Sequence, residues 1–161
     1  ILYHVPFFTS GIAMDTVSKL MRIPNIVGIK DSSADMKRIS HLCQLHTQRE
    51  DFLIYTGTDD CLLPALAAGV DGNMTAFAAS VPDWVTDIYQ AFGEGKLAQA
   101  AAYQRRMMPL LAVADALPFP LGYKLVAQAH YQLPMTQRVH QLAPEETVEI
   151  AQQKIEKLLR A

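Results

Sequence analysis

Cysteine, long apolar runs and an excess of either charge are scarce in this sequence, and each absence excludes a class of protein. Cys43 and Cys61 are the two cysteines among 161 residues, and their spacing fits neither a disulfide framework nor a metal site. No apolar run approaches the length of a membrane span, about 18 residues. We therefore expect a cytoplasmic protein with reduced cysteines and no membrane partner.

The charge balance excludes further partners. The formal net charge is -2 and half of the residues are apolar, which suits a compact core and gives no electrostatic reason to bind nucleic acid. The five histidines lack zinc-ligand spacing, and we find no glycine-rich loop that could cradle a phosphate. We expect neither a metal nor an organic cofactor.

Short β-rich runs alternate with stretches of helical spacing in the first part of the chain. Four runs predict strands: residues 1–6, 26–30, 52–56 and 72–76. Between them, apolar residues recur at one-turn spacing, and Asp15 and Asp35 are suitable N-caps for two of the helices. Strand and helix alternating four times predict a parallel sheet covered by helices. After Gly95 the pattern is helical, so we divide the chain into four β/α units, 1–94, and a helical extension, 95–161.

Four parallel strands fit either a small open sheet or half of an eight-stranded barrel. A (β/α)8 barrel typically needs about 250 residues, so the barrel requires further sequence before this chain. The first residues, ILYHVP, form a strand-like run without an initiator methionine, and a domain rarely begins inside a buried strand. We therefore favour the barrel and expect this chain to be part of a longer protein.

A lysine at the end of the second predicted strand is the strongest candidate for chemistry. Alternation along the strand places Lys30 on the same face as Ile26 and Gly28, and we expect Gly28 to leave room for the lysine stem. In a barrel this face points inward, and barrel enzymes place their active sites at the carboxyl ends of the strands. Apolar surroundings lower the pKa of an amine, so Lys30 could form a Schiff base with a ketone. The competing interpretation is a lysine that leaves the sheet and is solvated.

Four segments, in order along the chain, resemble motifs of one enzyme family. GIKDSSAD resembles the Schiff-base motif of the dihydrodipicolinate synthase/N-acetylneuraminate lyase family, the pyruvate-dependent class I aldolases. YHVPFFTSG is similar to its Y-N-x-P-x-x-T-G segment, YTGTDD to its G-x-D stretch, and AAGVDGNMTAFAASVPD to its last-strand segment. The resemblance implies the C-terminal half of a TIM (β/α)8 barrel, strands 5–8 of that fold, followed by the C-terminal helical tail of the family.

The resemblance also implies roles for individual residues. Lys30 matches the lysine that forms the imine with pyruvate or another 2-oxo acid, and Tyr3 matches the tyrosine that donates and accepts the proton of the substrate hydroxyl. Ser32 matches a hydroxyl that contacts substrate, with helix capping as an equal alternative. Gly57 and Asp59 match the backbone and the carboxylate that bind polyol hydroxyls. Asp59 could instead cap the following helix.

Three departures from the family pattern bear on the substrate. Dihydrodipicolinate synthases carry an arginine where this chain has Phe8. A phenylalanine cannot form the bidentate hydrogen bonds by which an arginine binds a carboxylate. Sialic acid lyases carry a serine near the position of Ala76 and a glutamate where this chain has Asp60. The family also has a G-T-T-G-E-like loop that holds the pyruvyl carboxylate, in the half of the barrel that this chain does not match. The chain alone is therefore expected to be an incomplete enzyme.

These observations predict a lyase that makes or breaks a bond through a Lys30 imine with pyruvate, with an aldehyde or a 2-keto-3-deoxy sugar acid as the other substrate. Aldol cleavage and a dehydratase variant both remain open. The alternatives are a non-catalytic barrel fragment or scaffold, and dihydrodipicolinate synthase or N-acetylneuraminate lyase activity proper. The resemblance further implies a homotetramer whose partner is a small-molecule 2-oxo acid.

Overall fold

Strands alternate with helices along the first half of the chain, and helices alone follow, in this computed structural model. It describes residues 1–134 and 143–160. The chain forms two compact units, Ile1–Thr75 and Ala76–Ala161. None of the helices within the described residues is long and apolar enough to cross a membrane.

The first unit is a parallel sheet with helices between its strands. The strands are Leu2–His4 (β1), Gly28–Asp31 (β2), Leu53–Thr56 (β3) and Gly72–Asn73 (β4). The helices are Met14–Leu20 (α1), Met36–Gln44 (α2) and Leu62–Ala68 (α3), and a short 3-10 helix, Leu45–Thr47, follows α2.

The sheet has the order β1-β2-β3-β4, and every pair is parallel. This confirms the predicted parallel sheet. β1 is shorter than predicted because the chain turns directly after it. The Val5 carbonyl accepts hydrogen bonds from the backbone N–H groups of Phe8 and Thr9, at 3.0 and 3.1 Å.

Capping explains where the helices of this unit begin. Asp35 is the N-cap of α2, as predicted, and its carboxylate accepts the backbone N–H of Arg38 at 3.1 Å. The prediction that Asp15 caps α1 is wrong, since Ala13 is the N-cap and Asp15 lies inside the first turn. There its negative charge still favours the helix N-terminus electrostatically.

An arginine side chain binds backbone carbonyls at the amino end of the sheet. The Arg49 guanidinium donates to the carbonyls of Met21 at 2.6 Å and Ile26 at 2.8 Å, which lie on the approach to β2. It also pairs with Asp51 at 2.9 Å, just before β3. One side chain therefore satisfies the carbonyls of a connection that has no secondary structure of its own.

The second unit is entirely helical in the residues that the structure describes. Its helices are Phe77–Ser80 (α4), Pro82–Gly93 (α5), Leu97–Asp115 (α6), Leu121–Tyr131 (α7) and Glu145–Arg160 (α8). Fully buried side chains from several of these helices form its core, among them Phe77, Ile88, Met107 and Ile155. The three helices predicted after Gly95 are α6, α7 and α8.

The compact units divide the chain at a different place from the repeat pattern. Helices α4 and α5 follow β4 in sequence, but they belong to the same compact unit as α6 and α7. The Ser80 hydroxyl, for example, donates to the Tyr123 carbonyl at 3.2 Å. The division into 1–94 and 95–161 rests on the order of strands and helices, which is a separate criterion, and it stays a prediction.

We expect opposite effects on stability from the same substitution at two helical glycines of the second unit. A Cβ at Gly122 would overlap the backbone of Ala114, whereas a Cβ at Gly93 meets nothing within 4 Å. Gly122→Ala should therefore lower the free energy of unfolding by about 1–3 kcal/mol. Gly93→Ala should raise it by as much as about 1 kcal/mol, because alanine favours the helix. Urea unfolding of both variants measures the difference, and equal midpoints would contradict this packing.

Candidate active site

One row of residues crosses the sheet and carries the candidate chemistry. Tyr3 on β1 pairs with Lys30 on β2, Lys30 pairs with Tyr55 on β3, and Tyr55 pairs with Gly72 on β4. Residues in register share a face of the sheet. The row lies close to the carboxyl ends of the strands, which is where parallel α/β sheets bind ligands.

Lys30 and Tyr3 are in direct contact within this row. The Lys30 Nζ donates a hydrogen bond to the Tyr3 hydroxyl at 3.2 Å, and it lies 4.3 Å from the centroid of the phenol ring. The Tyr3 side chain is 52% exposed, while Lys30 is half-buried. The structure thus brings together the two residues that the sequence predicted to be catalytic.

The environment of Tyr3 changes its acidity. Burial raises the pKa of Tyr3, but the nearby Ser32 hydroxyl and the hydrogen bond and positive charge of Lys30 lower it more. The net pKa of Tyr3 therefore lies below its usual value of 10.0. A phenol with a lowered pKa exchanges protons more readily near neutral pH, because its phenolate form is easier to reach.

Gly57 leaves the space that the Lys30 stem occupies. A Cβ at Gly57 would lie 2.9 Å from the Lys30 Cε and would overlap the Ser32 hydroxyl. The nearest atoms to a Cβ at Gly28 belong instead to Leu53 on the neighbouring strand. Gly28 therefore permits close approach of β2 and β3, and the glycine that leaves room for the lysine is Gly57, which sequence reasoning had assigned to substrate binding.

Ser32 and Asp59 follow β2 and β3 and are both buried. Ser32 is held in place by its backbone N–H, which donates to the His4 carbonyl at 2.8 Å. The capping role considered for Ser32 belongs to Asp35. Asp59 is 5% exposed, and the N-cap of α3 is Cys61 rather than Asp59. Neither residue therefore serves as the N-cap that was its competing role.

The opposite face of the same strands anchors them to α2. Asp31, the residue after Lys30, is fully buried and accepts a hydrogen bond from the Arg38 Nε at 2.6 Å. It also accepts the backbone N–H of Ser33 at 3.0 Å and the Ser33 hydroxyl at 2.5 Å. This carboxylate fixes the end of β2 and the turn that follows it, so the backbone beneath Lys30 has little freedom.

Sequence reasoning took the histidines as scattered structural residues and did not predict the loop contact that His4 makes. The imidazole is 6% exposed, and its Nδ1 accepts the backbone N–H of Ile12 at 2.9 Å. The sequence feature that could have indicated this contact is the Y-N-x-P motif of the family, in which His4 occupies the asparagine position. Both side chains can accept a backbone N–H, so the position itself indicated a loop contact.

The described residues, 1–134 and 143–160, contain no group of three or more histidine, cysteine, aspartate or glutamate side chains arranged to hold a metal ion. The chemistry available at the site is that of an amine, a phenol, a hydroxyl and a carboxylate. These are the groups for nucleophilic addition to a carbonyl and for proton transfer.

Comparison with known proteins identifies the family. The model of the dihydrodipicolinate synthetase family matches residues 1–161. The 4-hydroxy-tetrahydrodipicolinate synthase of Listeria welshimeri serovar 6b is 34% identical over 125 residues, which cover 77% of this chain and 42% of that protein. The chain spans less than half the length of the curated relatives it matches.

Solved structures resemble the fold over nearly the whole chain. YagE, a prophage protein of the dihydrodipicolinic acid synthase family from E. coli K12 in complex with pyruvate, is 22% identical with a TM-score of 0.84, covering 99% of this chain and 56% of that one. The 2-keto 3-deoxygluconate aldolase from Picrophilus torridus is 25% identical with a TM-score of 0.73, covering 81% and 47%. Both show the same α/β fold. The match of the family model over the whole chain shows that this chain belongs to the dihydrodipicolinate synthetase family.

Proposed function

We propose that this chain carries the Schiff-base residues of a class I aldolase or lyase. The observation that carries the proposal is the contact between Lys30 and Tyr3, 3.2 Å from Nζ to hydroxyl, at the carboxyl ends of two paired strands. A scaffold needs neither a half-buried lysine nor a phenol of lowered pKa in contact with it. The pair therefore supports a catalytic protein over the non-catalytic alternative.

The proposed chemistry begins at Lys30. Its neutral amine adds to the carbonyl carbon of a 2-oxo acid. After one proton is taken up from solvent, loss of the former carbonyl oxygen as water leaves a protonated imine. A proton then leaves the adjacent carbon for solvent, and the protonated imine accepts the electron pair left behind, which yields a neutral enamine. The enamine carbon then forms a bond to an aldehyde carbon, and the reverse sequence cleaves that bond.

Tyr3 is proposed to move the proton of the hydroxyl that this bond formation creates. The aldehyde oxygen becomes an alkoxide, which takes the phenolic proton, and in cleavage the phenolate takes the proton back. A lowered pKa of Tyr3 suits both directions, since general acid–base catalysis works best when the pKa lies nearer to the working pH. Ser32 supports this role, because its hydroxyl contributes to that lowering.

Pyruvate is the proposed 2-oxo acid. Its support is the family membership together with YagE, a structural neighbour in complex with pyruvate. The second substrate is proposed to be an aldehyde, or a 2-keto-3-deoxy sugar acid in the cleavage direction, as the name of the Picrophilus torridus neighbour suggests. The buried Asp59 and the glycine backbone at Gly57 are proposed to bind hydroxyl groups of that substrate.

A second candidate is 4-hydroxy-tetrahydrodipicolinate synthase activity, the name that the curated relatives carry. Identity of 34% over 77% of this chain favours it. Phe8 opposes it, since this position carries an arginine in the synthases that the motif resembles. Phe8 is 74% exposed and Phe7 is 70% exposed, so the segment after β1 offers aromatic surface in place of a cation.

The larger assembly is also a proposal. We propose that β1 to β4 correspond to barrel strands 5–8 and that the helices after Gly95 form the tail of the family, which the coverage of about half of each solved neighbour supports. The resemblance implies a homotetramer, and a cytoplasmic location is proposed from the reduced cysteines. An upstream half would supply the loop that holds the pyruvyl carboxylate.

Borohydride reduction in the presence of pyruvate tests the central proposal. A pyruvyl adduct should form on the peptide that contains Lys30, because reduction converts the imine to a stable amine. Lys30→Arg should abolish the adduct, since a guanidinium stays charged and forms no imine. Peptide mass mapping locates the adduct, and Lys37→Arg on the exposed side of α2 is the matched control.

The same labelling separates the remaining outcomes. Both the 161-residue chain and a version extended to the length of its relatives are treated. Labelling of the extended protein alone would show that the carboxylate loop of the other half is required. Absence of any adduct from both proteins would refute the aldolase proposal.

Tyr3→Phe should separate imine formation from turnover. Without the phenolic hydroxyl, the pyruvate adduct should still form, whereas release of pyruvate from 2-keto-3-deoxy sugar acids should fall by about 10²–10⁴-fold. Tyr103→Phe, which removes a hydroxyl bonded to Gln99 on α6, is the control and should leave both rates unchanged. Equal turnover of Tyr3→Phe and the parent protein would exclude the proposed proton transfer.

Ser32→Ala should raise the pKa of Tyr3 towards its usual 10.0. The variant removes one of the groups that lower this pKa and leaves the Lys30 side chain in place. Titration of phenolate absorbance measures the shift, with the corresponding Tyr3→Phe protein subtracted to isolate Tyr3. An unchanged or lower pKa would show that the Ser32 hydroxyl does not act on the phenol.

A further inference from the structure

A buried histidine lies beside the catalytic pair and has no part in the chemistry proposed so far. His4 follows Tyr3 in the chain and pairs across the sheet with Asp31, which follows Lys30. We infer that His4 is a positioning residue whose neutral imidazole holds residues 5–13, the 5–13 loop, against the strands that carry Tyr3 and Lys30. This inference deepens the proposed function and rests on it for its effect on catalysis.

Two contacts join the imidazole to the far end of the loop. The Ile12 N–H donates to the His4 Nδ1 at 2.9 Å, a bond that we call the latch. Gly11 lies so close to the ring that a Cβ there would be 3.0 Å from the His4 Cε1. The start of the loop is closed separately, since the Val5 carbonyl accepts the Phe8 N–H at 3.0 Å. The latch therefore fixes the end of the loop that this turn does not.

The other ring nitrogen faces the anchor of β2. The His4 Nε2 lies 4.0 Å from Asp31 Oδ2, and the same carboxylate oxygen is 2.6 Å from the Arg38 Nε. Asp31 on β2 and Arg38 on α2 are the charged groups that act on His4. One imidazole thus spans the distance between the 5–13 loop and the carboxylate that fixes the end of β2.

The latch requires an unprotonated Nδ1. A protonated imidazole donates from both nitrogens, so the Ile12 N–H would then face another donor. Burial lowers the pKa of His4, Asp31 raises it and Arg38 lowers it, with a net value below the usual 6.5. Since the folded pKa is depressed, the latch is complete above that usual value and is lost as the pH falls through the folded pKa.

The loop that the latch holds carries the surface beside Tyr3. Phe7 and Phe8 are the most exposed large apolar side chains of the first unit, and both lie between the turn at Val5 and the latch at Ile12. Release of the latch should therefore disturb both the Tyr3 end of β1 and the aromatic surface that Phe7 and Phe8 form.

Hydrogen exchange tests the latch independently of any chemistry. Deuterium uptake of peptides covering the 5–13 loop, corrected for intrinsic exchange rates, is compared between about pH 8 and about pH 5. In the parent protein, protection of this loop should be highest at about pH 8 and should fall by roughly threefold or more once the pH lies below the depressed pKa of His4. His4→Asn keeps an acceptor that does not titrate, so its protection should stay constant. His4→Ala should be unprotected at both pH values.

The exposed His41 supplies the control for the substitution itself. His41→Asn on α2 should retain the pH dependence of the parent protein, because its imidazole lies on the surface. Constant protection in the parent protein, or the same pH dependence in His4→Asn, would overturn the latch. The comparison of the parent protein with His4→Asn decides the question even where His4→Ala does not fold.

Trapping with pyruvate and borohydride tests the effect on the active site. At about pH 8, the parent protein and His4→Asn should give equal yields of the Lys30 adduct. At about pH 5, the yield of the parent protein should be lower than that of His4→Asn by roughly threefold or more. If hydrogen exchange shows the latch but the two proteins give equal adduct yields at both pH values, His4 holds the loop without affecting Lys30. That outcome would refute the positioning role. No adduct in any variant at either pH, in the 161-residue chain and in the extended protein alike, would refute the proposed function and, with it, the effect of His4 on catalysis.

Discussion

The parallel register of β1 and β2 is the constraint on which the site depends. Buried backbone groups must be hydrogen-bonded, so the two strands pair along their length and their residues align. Tyr3 therefore lies opposite Lys30, and His4 lies opposite Asp31. Because side chains alternate between the faces of a strand, a single register places the amine and the phenol on one face and their supports on the other. A slip of one residue would exchange the two sets.

The two ends of the sheet have different tasks. At the amino end, the Arg49 guanidinium binds backbone carbonyls of the connection that leads to β2, which serves stability. At the carboxyl end, Gly57 leaves space for the Lys30 stem and Asp31 fixes the following turn. This separation is typical of parallel α/β folds, where loops after the strands can vary in function while the opposite ends maintain the structure.

Contacts that are local in sequence could be predicted, and those that depend on folding could not. The strands, the Asp35 cap and the candidacy of Lys30 follow from alternation and from short motifs. The reason for Gly57 does not, because the atoms that it accommodates belong to Lys30 and Ser32, which reach it through the pairing of β2 with β3. The prediction that Gly28 leaves room for the Lys30 stem was wrong for the same reason, because the atoms nearest to Gly28 belong to Leu53 on the adjacent strand. Strand pattern indicates which face a residue occupies, but the distance to an adjacent strand decides what fills the space.

His4 shows how one substitution in a motif changes what a position can do. An asparagine at this position could accept the Ile12 N–H through its side-chain oxygen. The imidazole is longer and has a second nitrogen, so it accepts from Ile12 and also places its Nε2 4.0 Å from the Asp31 carboxylate. The cost is a titratable group in a buried place, where only the neutral form fits the hydrogen bond. The same residue therefore joins the 5–13 loop to β1 through the Ile12 hydrogen bond and makes that link dependent on pH.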